Sequence, residues 1–253
     1  MKAYPDTYRT VTHEYDTQRS TFLFRHTFRR SIELGFTLLT FPLVGLLIAV
    51  IAIVLLCTQG SPVFYRQQRR GLNRKEFTIL KFRTMPVKRD EYAVRTTHNT
   101  EASSRFATLL RTTHADELPQ WWNILRGDMH IIGPRPLAVS MSDECCSAIP
   151  GFSQRYRVKP GLTGLAQLLQ GATHTLDDDE IRLVYDLYYI RKRNVVLLLR
   201  ILVATLAYCT FFPQLARHLL LEYEADVRTL NSMREECNGE VANADNISYS
   251  RTL

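Results

Sequence analysis

The sequence predicts an α+β chain that is mostly helical. A membrane-embedded helix near the N-terminus precedes a small cytosolic domain with short strands, and an interfacial C-terminal helix follows. Three observations predict this. Residues 34–57 are 24 consecutive residues without a charge. Residues 59–194 mix short alternating segments, helical apolar stripes and Gly/Pro turns. Residues 195–223 are strongly apolar again but are interrupted by Arg200, Arg217 and His218. The expected division is a polar segment 1–20, an interfacial and membrane helix 21–58, the domain 59–194, an amphipathic membrane-surface helix 195–223 and a polar tail 224–253.

Residues 21–30 mix Phe22, Phe24 and Phe28 with arginines, as an interfacial helix does. A straight helix over 34–57 would reach roughly 36 Å, enough to span a hydrocarbon core of ~30 Å. Pro42 inside it removes a backbone hydrogen bond and turns Phe41 away from helix. Both flanks are basic: Arg25, Arg29 and Arg30 before, Arg66, Arg69 and Arg70 after. Positive residues mark the cytoplasmic side, so both flanks obey that rule only if the chain enters and returns. A re-entrant helix–break–helix is therefore expected, with a proline-kinked spanning helix as the alternative.

Further along, strands are expected at 61–66 and 77–82 with a basic turn at 69–75, then a polar loop over 86–104. Helices are expected at 105–113, 116–126 and 137–148. Residues 155–159 alternate like a strand before the turn Pro160-Gly161-Leu162-Thr163-Gly164. A helix over 177–193 opens on Asp177, Asp178, Asp179 and Glu180, a favourable acidic first turn.

Charge narrows the class. The chain carries +7, and residues 22–90 hold twelve Lys/Arg against three acids, so the positive excess surrounds the apolar run. That suits an anionic membrane surface and phosphorylated ligands. No nucleic-acid partner is expected, because no basic stripe interleaved with aromatics appears. The five cysteines show no metal-ligand spacing and are odd in number, which fits a reducing, cytosolic setting.

The most informative stretch is 111–136, RTTHADELPQWWNILRGDMHIIGPRP. Asp116 and Glu117 are adjacent at an expected helix start, Pro119 suits a first turn, and Gly127 suits a stop. Leu118, Trp121, Trp122 and Leu125 make an apolar stripe, with one tryptophan expected in the core and the other near the interface. Arg111 precedes the pair, and Gly133-Pro134-Arg135-Pro136 is a rigid turn carrying a second arginine. Carboxylates and arginines together can hold a metal-bound phosphate and attack it. The positive surroundings are expected to keep Asp116 ionised. Lys81 and Arg83 are candidates for a substrate phosphate site, within a basic strip 66–89 read first as a lipid-headgroup contact. Asp186, among aromatic residues in an apolar helix, needs a partner or a ligand.

With these residues in view, the chain resembles the bacterial sugar transferases of the monotopic polyprenyl-phosphate phosphoglycosyl transferase family. The resemblance runs from about Phe24 to Leu206. Its blocks, in order, are Gly60-Ser61-Pro62-Val63-Phe64 with Arg66-Gln67, then Lys81-Phe82-Arg83-Thr84-Met85, then Asp116-Glu117-Leu118-Pro119-Gln120 with Asn123. Gly127-Asp128-Met129, Gly133-Pro134-Arg135-Pro136, Lys159-Pro160-Gly161-Leu162-Thr163-Gly164 with Ala166-Gln167, and Asp186 with Tyr188-Tyr189 complete them. Two departures stand out: Thr40-Phe41-Pro42 replaces the common Ser-Pro at the membrane break, and His114-Ala115 replaces the usual residues before the acidic pair.

The resemblance implies a re-entrant helix, a cytosolic catalytic domain, and transfer of a phosphosugar from a UDP-sugar to a polyprenyl phosphate. It places the nucleophile at Asp116, Mg²⁺ at Glu117 beside Asp116, and motif arginines at Arg111 and Arg135. Membrane lipids would be partners, at the cytoplasmic face of a bacterial inner membrane. Long family members carry further membrane helices and a domain upstream, which residues before Thr21 are not expected to supply. The competing reading is a non-enzymatic, basic membrane-anchored scaffold, which would not need Asp116, Glu117 and two motif arginines.

Overall fold

The computed structural model describes residues 19–85, 105–171, 175–209 and 212–226, with side chains from Arg29 onward. The polar segment 1–18, the loop 86–104 and the tail from 227 lie outside the described residues.

Helix α1 (Arg19–Gln59) runs without interruption through Pro42. The expected break is not present as a gap in the helix. Proline removes only the bond to the Leu38 carbonyl. One stripe of this helix faces the rest of the molecule, and it is polar at its start. Glu33 and Thr37 are buried there, followed by Ile51 and Leu55. The opposite side is apolar and exposed, with Leu38, Leu39, Leu43, Leu46, Val50, Ile53 and Leu56 uncovered. This polarity is the reverse of a helix on a water-facing surface.

Two basic residues before the apolar run, Arg29 and Arg30, are engaged within the protein. Arg29 donates to the Ile132 carbonyl (2.7 Å) and the Tyr189 hydroxyl (3.1 Å), and it pairs with Glu33. Glu33 also meets the buried His130 ring. Arg30 caps the next helix end through the Ile124 carbonyl at 2.6 Å. Midway along α1, Trp121 donates to the Thr40 hydroxyl at 3.2 Å. Near its end, Ile51 and Leu55 pack with Phe82 and Leu110. Arg83 then binds the carbonyls of Gln59 and Gly60, both at 2.8 Å. One globular body therefore grips α1 from Arg29 to Gln59.

That body begins with strands β1 (Phe64–Arg70) and β2 (Glu76–Phe82), an antiparallel hairpin pairing Phe64 with Phe82 and Arg70 with Glu76. The first strand lies later than the sequence suggests. The basic residues Arg69 and Arg70 complete the ladder instead of forming the turn, because their backbone also pairs onward to Leu137 and Ala138. Helix α2 (Arg105–Thr112), a 3₁₀ turn at Ala115–Glu117 and helix α3 (Gln120–Arg126) follow. The helix expected over 116–126 is thus split, with Pro119 between its parts. Gly127 ends α3 in the left-handed conformation (φ 87°), as the sequence indicates.

Strand β3 (His130–Ile132), helix α4 (Val139–Ala148), strand β4 (Gly161–Thr163), helix α5 (Leu165–Leu169) and helix α6 (Leu176–Lys192) complete the body. β3 and β4 pair in parallel. The strand expected at 155–159 is instead a 3₁₀ segment, Phe152–Arg157. Consecutive Arg155 and Tyr156 are both buried, which an alternating strand cannot do. The acidic start of α6 is a helix cap: Thr175 and Asp178 form a reciprocal capping box.

The C-terminal apolar stretch contains the helices α7 (Val195–Cys209) and α8 (Pro213–His218), and residues 221–226 are helical as well. α7 is not amphipathic in the expected sense. Leu197, Ile201, Ala204 and Ala207 are buried with Tyr185, Tyr188, Tyr189 and Leu220, while Val195, Val196, Leu199, Val203 and Leu206 are exposed. Both sides are apolar, and one belongs to the same core as α6.

The grip on α1 depends on a buried network. Removing the carboxylate in Glu33→Ala leaves Arg29 and His130 facing each other without it, and should destabilise the protein by about 3 kcal/mol. Thermal melting in detergent micelles checks this; an unchanged midpoint would show that the network does not hold α1.

Candidate active site

The Asp116-Glu117 pair occupies the 3₁₀ turn between α2 and α3. His114 enters the turn in the left-handed conformation (φ 55°), and its ring packs 5.8 Å from that of Tyr208 near the end of α7. Glu117 is buried and bound by two cations. Lys81 Nζ reaches its Oε1 at 2.6 Å, and Arg135 Nη2 reaches the same oxygen at 2.7 Å. Lys81 comes from β2 and Arg135 from the Gly133–Pro136 turn, so one carboxylate ties three segments together.

The electrostatics separate the two acids. Burial alone would raise Glu117, but Arg135 and Lys81 together outweigh it and hold this carboxyl far below the usual range. Asp116 goes the other way. Burial pushes it up, and Glu117 adds to this against the pull of Lys81, His114 and Arg135. The expectation that positive surroundings dominate at Asp116 is therefore corrected: burial, with Glu117, outweighs the pull of its cations. Adjacent acids driven in opposite directions can take different roles.

Arg135 is aimed by a backbone clasp. Gly133 N–H donates to the Thr163 carbonyl (2.8 Å), and Gly161 N–H donates to the Pro134 carbonyl (2.9 Å). A Cβ on Gly161 would fall 2.0 Å from the Gly133 nitrogen, and one on Gly164 would fall 2.3 Å from the Gly133 oxygen. Only glycine lets the chains approach so closely. Behind the clasp, Arg155 is fully buried. It pairs with Asp186 at 2.7 Å and donates to the Arg135 carbonyl at 2.9 Å. The Pro136 carbonyl accepts from Arg69 at 3.0 Å.

The expected site residues thus divide. Asp116, Glu117, Lys81 and Arg135 come together. Asp186 lies one layer behind, reaching the site only through Arg155 and the Arg135 backbone. Arg83 binds the end of α1, as described above. Arg111 sits half-buried in the last turn of α2, where its carbonyl accepts from His114 N–H. Within the basic strip, Arg70 and Arg74 pair with Asp143, Arg66, Arg74 and Lys75 are exposed, and Lys88 and Arg89 lie outside the described residues. Trp121 is half-buried beside Ile124 and Met129, while Trp122 is exposed.

Two supports were not legible as such in the sequence. Arg155 falls in a segment that alternates like a strand. Asn123 is completely buried and completes the edge of β2, accepting from Leu80 N–H (3.1 Å) and donating to the Thr78 carbonyl (2.7 Å). The sequence marks Asn123 only as part of a block of the family resemblance, with no sign of this role.

Comparison with known proteins agrees with this arrangement. The family model described as "Bacterial sugar transferase" matches residues 24–211. The chain belongs to the bacterial sugar transferase family. A UDP-glucose:undecaprenyl-phosphate glucose-1-phosphate transferase of Klebsiella pneumoniae is 39% identical over 181 residues, covering 70% of this chain and 39% of that protein. A UDP-N-acetylgalactosamine-undecaprenyl-phosphate N-acetylgalactosaminephosphotransferase of Aeromonas hydrophila is 31% identical over 165 residues, covering 65% of this chain and 39% of that protein. The exopolysaccharide production protein PSS of Rhizobium leguminosarum bv. phaseoli is 33% identical over 162 residues, 61% of this chain and 81% of that protein. The chain spans about two fifths of the first two relatives.

For a member of this family, Mg²⁺ is the cofactor to test against the residues present. Among the described residues no three His, Cys, Asp or Glu side chains cluster as a metal cage. Asp116 and Glu117 alone are a hard, two-carboxylate set. That fits an ion taking most of its ligands from water and substrate phosphate.

Asp186 distinguishes support from contact. Asp186→Ala leaves the Arg155 charge buried and unpaired, which should cost about 3–5 kcal/mol and lower the melting temperature together with turnover. A residue that only touched substrate would lose turnover at unchanged melting.

Proposed function

We propose that the chain transfers a phosphosugar from a UDP-sugar to a membrane polyprenyl phosphate, releasing UMP, through a phosphosugar–aspartyl intermediate. Such a step would initiate exopolysaccharide, O-antigen or glycoprotein glycan assembly. The observation carrying this reading is the division of labour in the acidic pair: Glu117 is neutralised by Lys81 and Arg135, whereas Asp116 carries no ion pair of its own among the described residues. The names of the relatives support the substrate classes.

Asp116 would attack the β-phosphorus. A bond forms from its Oδ to phosphorus, the bond from that phosphorus to the bridging oxygen breaks, and UMP leaves with the electron pair. An oxygen of the polyprenyl phosphate then attacks the same phosphorus, and the Asp116 carboxylate departs. Arg135 offers guanidinium donors to the phosphoryl oxygens, and Lys81 adds a point charge beside them. Mg²⁺ held by Asp116 and Glu117, when bound, would supply neutralisation of the diphosphate charge.

The acceptor is embedded in lipid and the donor is soluble, so the site belongs at a membrane surface. The exposed apolar faces of α1 and α7 support this reading. A single body gripping both ends of the apolar run supports a re-entrant path, with both flanks on the cytoplasmic face of the inner membrane, because a spanning helix would offer only one end. Cysteines introduced singly at Arg25 and Gln68, in a variant lacking the native thiols, should both be shielded from impermeant reagents in intact cells. Labelling at either position from outside would exclude the re-entrant path.

For the chemistry, incubation with labelled UDP-glucose or UDP-N-acetylgalactosamine and Mg²⁺, without acceptor, should leave label on Asp116. Asp116→Asn should form no adduct and lose turnover by at least about 10³-fold. Arg135→Lys, which keeps charge but loses the fork, should fall roughly 10- to 100-fold while melting normally. A fully active Asp116→Asn protein would exclude the mechanism. Absence of UMP release with every donor would favour the scaffold reading.

A further inference from the structure

Strand β1 alternates, so Tyr65, Gln67 and Arg69 share one face, and the register sets Tyr65 directly opposite Lys81. Arg69 occupies an unusual position on that face. Its Nη1 donates to the Pro136 carbonyl (3.0 Å) and its Nη2 to Gln67 Oε1 (2.6 Å), while Nε is buried with no partner. Among the described residues its hydrogen-bond partners are thus neutral. Glu117 lies close enough to act on it, but the Glu117 oxygens are already bound by Lys81 and Arg135. Burial and the like charge of Arg135 pull its pKa down to about 10. A cation buried beside another cation costs stability unless an anion arrives. Arg69, Lys81 and Arg135 are therefore three cations near the buried Glu117 carboxylate, and Arg69 is the one whose hydrogen-bond partners among the described residues are all neutral.

We propose that Arg69 is a diphosphate-binding residue of the donor site, a second guanidinium set beside Arg135 on the Lys81 face of the hairpin. This rests on the transferase reading above. A nucleotide diphosphate carries two linked phosphoryl groups, and two adjacent guanidinium forks match such a group better than the single phosphate of the lipid acceptor. The Pro136 contact places the Arg69 fork next to the turn that carries Arg135, so the two can engage one ligand without rearranging the clasp. Tyr65 and Gln67 continue the same face along the strand.

The test uses the full-length protein in detergent, with UDP and uridine as binding probes, and compares wild type with Arg69→Gln and Arg69→Lys. Glutamine keeps a donor for the Pro136 carbonyl but removes the charge. UDP affinity should fall roughly 10- to 100-fold in Arg69→Gln and less in Arg69→Lys, with uridine affinity and melting unchanged. In turnover, the KM for UDP-sugar should rise more than kcat falls, and the KM for a short polyprenyl phosphate should stay constant. Unchanged UDP affinity in both variants overturns the assignment, as does an equal loss for UDP and uridine, which marks a purely structural arginine. A raised acceptor KM at constant UDP affinity overturns it in favour of an acceptor contact. The two readings fail separately: a wild-type protein that binds UDP through Arg69 but releases no UMP removes the transferase reading and leaves this one standing.

Discussion

The buried carboxylate of Glu117 is the interaction on which the site depends. Through Lys81 and Arg135 it draws together the β2 strand, the turn before α3 and the Gly133–Pro136 segment. Neutral residues there would leave two cations side by side in a poorly solvated region. With both cations bound to Glu117, Asp116 is left without an ion pair among the described residues. The geometry behind it serves the same end: Arg155, Asp186 and the glycine clasp fix the backbone of Arg135, so that the guanidinium meets Glu117 without being free to swing away.

The same body holds the long apolar helix α1, and here polarity runs opposite to that of a helix on a water-facing surface. α1 turns Glu33 and Thr37 inward and its leucines outward. The inward polar groups are satisfied by His130, Arg29 and local carbonyls, which makes their burial tolerable. The apolar outer face of α7 lies on the same molecule, and the ring of Tyr208 near the end of α7 meets His114 beside the acidic pair. A surface suited to lipid and the chemical centre are therefore joined through one short helix.

Much of this was legible from local pattern. The stop at Gly127, the cap before α6 and the helices α2 and α4 follow from residue types that act within a turn or two. The acidic pair, Lys81 and Arg135 were identifiable as site residues for a similar reason, since their chemistry has few other uses in that arrangement. Errors arose where a residue's role depends on a distant partner. Arg155 to Lys159 alternates convincingly as a strand, yet Arg155 is turned inward by Asp186, thirty-one residues later. Arg29, Arg30 and Arg83 read as membrane or phosphate cations, yet each binds a backbone carbonyl, of a strand end for Arg29 and of helix ends for Arg30 and Arg83.

The sequence by itself determined the apolar run and its basic flanks, most of the longer helices, and the chemical inventory of the candidate site, because hydropathy, turn residues and side-chain type are properties of neighbours in the chain. Only the tertiary structure decided which of many cations would be neutralised and which left over. Twelve basic residues around one apolar segment look alike in the sequence. Their difference lies in whether a carbonyl, a carboxylate or nothing charged sits within about 3 Å, the range over which a hydrogen bond or ion pair forms, and that distance is set by packing between segments far apart in the chain.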